Sequence, residues 1–254
     1  MILGLDIGGT NTDVVILRDG EFEIIGSFRT EEFDLKKIEV DYEMIGVSIA
    51  AWFKKGKIVH APNLKRIPSI ETDKPKIVEN DAKCFAYYSS KMTGKKNVLA
   101  FTVGTGIGTG IVIDGKLYKG DGLAGELGHT FVGGRRKCRC GGYGHLECYF
   151  GGWAIRDVRK RVEDRSIYES KGFRFFCNGV ATAIMLLNPE IVTFGGRIGG
   201  RLDERILSSE ISKLIPEVFK PEFKVIKDDF AVAKGAAMLA KDYLERNFKT
   251  QDQR

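Results

Sequence analysis

Long apolar runs are missing from this chain of 254 residues, and no stretch approaches the ~18 apolar residues that a bilayer-crossing helix needs. The opening segment MILGLDIG also lacks the basic and apolar regions of a secretory leader, so the expected location is the cytoplasm, with no membrane partner. Cysteine is sparse. Five cysteines, two of them in a C-x-C, make no disulfide ladder and fit a reducing compartment. A strong charge excess is absent too. The 40 Lys and Arg against 34 Asp and Glu leave +6, which suits an anionic ligand and is too diffuse for a nucleic-acid partner. The densest basic cluster, Arg135, Arg136, Lys137 and Arg139, reads as a solvated loop. What is present, 43% hydrophobic and 29% charged residues, is the composition of a folded protein with room for one large or two modest domains.

One piece of grammar occurs twice. Ile2–Asp6 reads as an apolar strand feeding the loop Gly8-Gly9-Thr10-Asn11-Thr12, Val14–Leu17 is a second strand, and Asp19-Gly20 is a hairpin signal into Phe22–Phe28. The same order returns as Val98–Val103, a Gly/Thr loop over Gly104–Gly110, Ile111–Ile113, and Asp114-Gly115 leading into Lys116–Tyr118. Two copies point to an internal duplication in which each copy opens a domain. Met44–Ile49, Lys57–His60, Ile77–Val78, Ile191–Phe194 and Val225–Ile226 read as further strands. Ala82–Met92, Gly151–Val162, Phe173–Leu187, Leu202–Phe219 and Ala231–Asn247 read as helices. Such alternation marks an α/β protein with mixed sheets. No low-complexity linker separates the halves, so the boundary near residue 96 is expected to be a hinge in a compact interdomain cleft.

Both glycine loops suit an anion. Glycines let backbone approach closely, successive N–H groups can form a nest for phosphate oxygens, and the threonine hydroxyls add donors. Asp6, at the end of the first strand, can hold Mg²⁺ through water. The bland reading is two tight hairpins, and the shared context of the loops weighs against it. Gly104-x-Gly106-x-Gly108 is not a dinucleotide fingerprint, because it feeds a strand where that motif opens a helix. Glu79-Asn80-Asp81 lies at a strand end before a helix. Asp81 is either a helix cap or a general base that accepts a hydroxyl proton during phosphoryl transfer. Asn80 offers a donor and an acceptor suited to sugar hydroxyls, and Glu126, His129 and Glu147 add planar polar groups nearby in sequence.

His129, Cys138, Cys140 and His145 fall within 17 residues, with Gly141, Gly142 and Gly144 supplying the turns. Four N and S donors are what a closed tetrahedral zinc site requires, and the alternative is two reduced surface thiols with unrelated histidines. Cys148 is a substitute ligand for His145 in principle, but its place at the start of a helix favours the core. Cys84 and Cys177 read as core thiols. A zinc with four protein ligands would stiffen the loop carrying Glu126 and Glu147 and orient His129.

Together these motifs resemble the ROK family of sugar kinases and repressors. The matches are D-I-G-G-T-N-T at Asp6–Thr12, E-N-D-A at Glu79–Ala82, the loop Gly104–Gly110 with I-V-I-D-G-K-L-Y, G-E-L-G-H at Gly125–His129, C-x-C-G-x-x-G at Cys138–Gly144, Leu146-Glu147, and L-N-P-E-I-V-T-F-G-G-R at Leu187–Arg197. The resemblance implies a two-domain actin/hexokinase-like (ribonuclease H-like) fold, with 1–95 plus 232–254 as the small domain and 96–231 as the larger one. It implies an ATP- and Mg²⁺-dependent kinase of a hexose or amino sugar, with Asp81 as base and Asn80, Glu126, His129 and Glu147 at the sugar. Gly8, Gly9, Thr10, Asn11, Thr12, Gly104, Thr105 and Gly106 would cradle phosphates, and Gly195-Gly196 would lie near the adenosine. Other readings are a non-catalytic sugar sensor, a sugar-acid kinase, or a polyphosphate donor. Repressors of the family carry an N-terminal helix-turn-helix, and residue 2 already begins a strand. A homodimer or larger homo-oligomer is the common case for such enzymes. Three departures stand out: His145 occupies the place of a third cysteine, Ser48–Phe53 replaces a Gly-Pro-Gly-like loop, and the chain is short for the family, with tight loops.

Overall fold

The computed structural model describes residues 1–62, 64 and 67–251, the last four by backbone alone. The chain divides into two compact units, Met1–Tyr88 with the chain from Phe230 onward, and Ser89–Asp229. In the first unit, β1 (Ile2–Ile7), β2 (Asn11–Arg18) and β3 (Glu21–Arg29) form an antiparallel meander, and β4 (Met44–Ile49) joins β1 in parallel. A small hairpin, β5 (Trp52–Lys54) and β6 (Lys57–His60), precedes β7 (Lys76–Asn80), which pairs in parallel with β4 and runs straight into α1 (Asp81–Thr93). The sheet order is β3-β2-β1-β4-β7.

The second unit repeats the plan. β8 (Val98–Val103), β9 (Ile107–Ile113) and β10 (Lys116–Leu117) form the meander, followed by short helices α2 (Glu147–Phe150) and α3 (Val158–Glu163) and the long α4 (Lys171–Leu187). β11 (Ile191–Gly195) pairs in parallel with β8, α5 (Gly196–Gly199) and α6 (Glu204–Ser212) follow, and β12 (Glu222–Val225) closes the order β10-β9-β8-β11-β12. The final helix α7 (Ala231–Gln251) belongs to the first unit.

Alternation along the strands explains both faces of the first sheet. Leu3, Leu5, Ile7, Val14, Ile16, Ile45, Val47 and Ile49 face a core shared with Leu35 and Phe53. Ile2, Val15, Leu17 and Met44 face Ala233, Ala237 and Ala240 of α7. Strands buried on both faces read as continuous apolar runs, which is what β1 and β4 are. The alanines of α7 let it lie almost on the strands. A Cβ placed on Gly46 would meet Ala236 O at 2.0 Å, so no side chain fits there. In the second unit, α4 packs Phe173, Phe176, Val180 and Ile184 onto the sheet. Phe101 stacks on Phe194 at 5.8 Å and meets Phe176 edge-on at 5.7 Å.

Three expected elements differ. The second glycine loop is confined to Gly104–Gly106, because Gly108 to Gly110 pair with β8 as part of β9. The helix expected over 151–162 begins only at Val158, since the Gly152 and Trp153 amides bond to Gly104 O and Thr105 O (both 3.0 Å). The helix expected over 202–219 ends at Ser212. Pro216 lies beyond it, and a single 3₁₀ turn covers Glu217–Phe219. Among the described residues, no helix is long and apolar enough to cross a membrane.

Candidate functional site

In each unit the parallel strands end along one edge, and ligands of open α/β sheets gather at such carboxyl edges. Register puts Ile7, Ile49 and Asn80 side by side in the first unit. The turn Gly8–Thr10, the segment Ala50–Trp52 and Asp81 therefore leave the sheet together. Two strand spacings, about 10 Å, separate the β1 end from the β7 end.

The turn is pinned from behind. Gly8 N donates to Asn11 O (3.0 Å), Thr30 Oγ1 donates to Gly8 O (2.8 Å), and Thr30 N donates to Thr10 O (2.9 Å). Gly9 and Thr10 are exposed at the tip, and Asn11 opens β2. Thr12 differs from the expectation of a free hydroxyl. It is fully buried, with its Oγ1 3.1 Å from Thr30 Oγ1, so its side chain supports the turn from inside. Asp6 Oδ1 accepts from Ser48 Oγ (2.8 Å) on the neighbouring strand.

The choice between cap and base at Asp81 has a geometric answer. Asn80 is the residue that caps α1, its Oδ1 accepting from Lys83 N (3.2 Å). Its Nδ2 donates to Ala51 O (3.1 Å) and to Asp81 Oδ1 (2.9 Å). Both amide hydrogens of Asn80 thus serve Asp81 and the β4 exit. Burial pushes the Asp81 carboxyl from 3.8 up to about 6, against the Ala82 amide, the Lys83 charge and the Asn80 bond, which lower it. Lys83 is 2% exposed and was not foreseen. The signal was a lone cation inside the otherwise apolar start of α1. Burial, followed by the charges of Glu79, Asp6 and Asp81, holds the Cys84 thiol well above its usual range, which makes it an inert core thiol.

The second edge carries Gly104–Gly106, half-buried except for exposed Thr105, with Gly104 N donating to Gly106 O (3.0 Å). Gly195 pairs with Thr102, so Gly195-Gly196 leaves the sheet beside this turn. Glu147 is turned inward. It is 2% exposed, Oε2 accepts from Ile107 N (3.0 Å), and Oε1 accepts from Trp153 Nε1 (3.1 Å). The carboxylate is an internal pin under the glycine turn in this structure. Trp153, also unforeseen, completes the pin and lies under the Arg139 guanidinium at 4.9 Å. Glu126 is half-buried just ahead of the 3₁₀ turn Leu127–His129.

His129, Cys138, Cys140 and His145 come together, with one donor atom from each inside a group spanning no more than 4.8 Å. His129 Nδ1 is 3.6 Å from Cys138 Sγ, and His145 Nδ1 is 3.2 Å from Cys140 Sγ. Tetrahedral Zn–N and Zn–S bonds imply ligand separations of about 3.3–3.8 Å, so the donor set fits zinc in number and type, and the His129–Cys138 and His145–Cys140 pairs stand near that spacing. The loop is shaped for it: Cys138 N bonds to Gly142 O, and a Cβ on Gly142 would stand 2.4 Å from His145 Cε1. Burial first, then the neighbouring thiols, push Cys138 up to about 12, and a bound cation would reverse that by favouring thiolate. Cys148 is 1% exposed and donates to Arg136 O, outside the group.

Two five-stranded mixed sheets of matching order, each releasing a glycine turn at its carboxyl edge, define the class as an α/β protein of the actin/hexokinase-like fold. A ROK family glucokinase from Streptomyces griseus, solved with glucose and AMPPNP, shares that fold with a TM-score of 0.75 over 95% of this chain and 99% of its own, at 24% identity. The ROK family profile matches residues 2–243, and the chain belongs to the ROK family. Among its relatives, a glucokinase of Pyrobaculum calidifontis is 30% identical over 94% of each chain. An N-acetylmannosamine kinase of Haemophilus influenzae is 27% identical over 95% of this chain and 96% of its own.

Proposed function

We propose that the protein is an ATP-dependent kinase that transfers the γ-phosphoryl group to a hydroxyl, the 6-OH, of a hexose or amino sugar. The observation that carries this reading is Asp81: one carboxyl, set at a parallel-strand edge by Asn80 and raised to about 6 by burial. At that value it is ionised at neutral pH and still basic enough to take a hydroxyl proton, the range in which general bases work best. As the acceptor oxygen attacks, Asp81 takes its proton and so develops the nucleophile without creating a free alkoxide. Names of relatives supply the substrate class: glucose in one, N-acetylmannosamine in another, with an ATP analogue bound in a third.

With the Gly8 and Gly104 amides bonded inside their own turns, the amides at the turn tips, Gly9 and Thr105, are the ones offered to phosphate oxygens, and Gly195-Gly196 takes the nucleoside end. Asp6 presents a hard carboxylate oxygen suited to a hydrated Mg²⁺, which supplies charge neutralisation when bound. Glu126 and His129 orient the sugar, while zinc on His129, Cys138, Cys140 and His145 supplies a rigid cross-link with no open position for chemistry. Acceptor choice falls to Ala50–Phe53. The Trp52 ring meets that of His60 at 5.3 Å, tilted by 58°, and Phe53 is buried, so this segment is bulky and fixed.

The test is ADP release from Mg-ATP with glucose, mannose, fructose, N-acetylglucosamine, N-acetylmannosamine and a sugar acid, with Asp81→Asn beside the wild type. Turnover on a sugar, lost in the variant, is the expected result. Undiminished turnover in the variant would remove Asp81 as base, and silence on every acceptor with metal bound would sink the kinase reading.

A further inference from the structure

A basic cavity in the second unit plays no part in any role assigned so far. Its volume is about 430 Å³, within the ~300–1,000 Å³ of small-molecule sites. Arg136, Arg156, Arg161 and Lys171 line it, together with Tyr149 and Ser170, and no carboxylate does. Two of the cations are held in place. Arg136 donates to Cys148 O (3.1 Å) and lies over the Tyr149 ring at 4.9 Å, and Lys171 Nζ lies over the Phe175 ring at 5.1 Å. Arg161 is half-buried. The polar groups between them are already engaged: Tyr149 Oη donates to Gly133 O (2.7 Å), and Ser170 Oγ donates to Ile167 O and accepts from Phe173 N.

The nearby acids do not line the cavity. Asp164 accepts from Ser166 N (3.0 Å), and its charge reaches Lys160 and Arg161 without lining the cavity. Asp157 lines a neighbouring hollow with Arg159 and Lys160. Like charges gathered around one enclosure repel until an anion joins them, and guanidinium forks match phosphate oxygens two at a time. Lys171 also opens the 17-residue α4, the end of a helix that favours negative charge. With hydroxyls spent and only cations on offer, recognition here counts charge, and four cations exceed the roughly −2 that one phosphoryl group carries.

We propose that this cavity binds a small anion carrying two or more phosphoryl groups, through residues that share none with the glycine turns. The experiment is equilibrium binding to the metal-loaded full chain of tripolyphosphate, orthophosphate, ADP and a hexose bisphosphate. Tripolyphosphate should fill one equivalent that Arg156→Ala/Arg161→Ala/Lys171→Ala loses, with affinity falling about a hundredfold or more at about tenfold per charge-assisted contact. A control, Lys116→Ala/Lys224→Ala/Lys227→Ala, removes the same charge from exposed positions elsewhere and should keep that equivalent. Arg156→Glu, a single exposed change, should alone weaken binding about tenfold or more. Tighter binding of ADP or of the bisphosphate to the same equivalent would support the site and identify what bears its phosphates. Equal binding by the first triple variant and wild type, or equal loss in both triple variants, would overturn the proposal.

Discussion

The two units share one sheet order, yet they place their chemistry differently. In the first, the functional groups leave the strands directly: the Gly8 turn follows β1, Ala50 follows β4 and Asp81 follows β7, all fixed by ladder register. In the second, residues 118–190 separate β10 from β11, and the segment around the metal donors holds itself together by two isolated bridges, Phe131 with His145 and Lys137 with Tyr143. A strand end needs no further support, because the sheet positions it. A long loop needs cross-links, and here the groups placed to supply them are one buried carboxylate and four side chains gathered as a metal ion would need. The first unit should therefore answer to protonation and the second to metal.

Asp81→Asn should break the first half of that contrast most severely. A missing general base costs about 10²–10⁴ in rate, read as kcat in the ADP-release assay, while metal content stays at the wild-type level. The same variant carries a stability signature. The folded carboxyl keeps its proton up to about pH 6, against 3.8 for an ordinary aspartate, so between those values the folded state holds a proton the unfolded state has lost. Below pH 3.8 both states are protonated and nothing differs. As pH rises through about 6, ionising a buried group weighs on the fold by up to about 3 kcal/mol. Asp81→Asn should accordingly unfold later than wild type at about pH 8 and with it at about pH 3.5. Wild-type kcat/KM should climb with pH through about 6. A flat profile, or a variant no more stable at high pH, would show that burial does not govern this carboxyl.

Removing metal should come next. Cys138→Ala, or a chelator, should take bound zinc from one equivalent to none and lower kcat/KM about 10–100-fold. Proteolysis should then open the 119–157 segment while hydrogen exchange in α7 stays slow. Equal loosening of both units would erase the contrast between them.

Glu147→Gln sharpens it within the second unit. The change weakens a charge-assisted acceptor for Ile107 N, worth about 1.5–3 kcal/mol, so KM for ATP should rise about tenfold with metal retained. If the carboxylate instead touches sugar, KM for the sugar will move and KM for ATP will not.

Legibility followed the same division. β1, β4, β8 and α4 were readable because their apolar patterns are buried by local rules, and the repeated D-G hairpins announced the duplication. The Gly104 loop was read too long, since Gly108 and Gly110 look like loop residues but meet β8 in the ladder. The helix expected from 151 failed on tertiary grounds, with its first amides taken by Gly104 and Thr105. Asp81, Glu126 and the metal donors carried motif signals. Lys83, Trp153 and the inward turn of Glu147 did not: Lys83 is set by depth within a core, Glu147 by Ile107 40 residues away, and Trp153 by a carboxylate whose inward turn the sequence does not show.

The smallest expected effect decides the metal's ligand set. Cys148 sits three residues after His145, and spacing alone allows either to complete the site. Geometry separates them: His145 Nδ1 is 3.2 Å from Cys140 Sγ, whereas Cys148 is buried, with its thiol on Arg136 O at 3.6 Å. Cys148→Ala should therefore leave one equivalent of zinc, losing only packing and a weak hydrogen bond, about 1 kcal/mol in thermal unfolding. His145→Ala should lose the metal or bind it far more weakly, and His145→Cys should restore it, since a thiolate serves zinc as well as an imidazole does. Metal lost in Cys148→Ala but kept in His145→Ala would move the fourth ligand into the core. It would also mean that the loop repacks on metal binding, making the second unit's dependence on its ion stronger than the geometry requires.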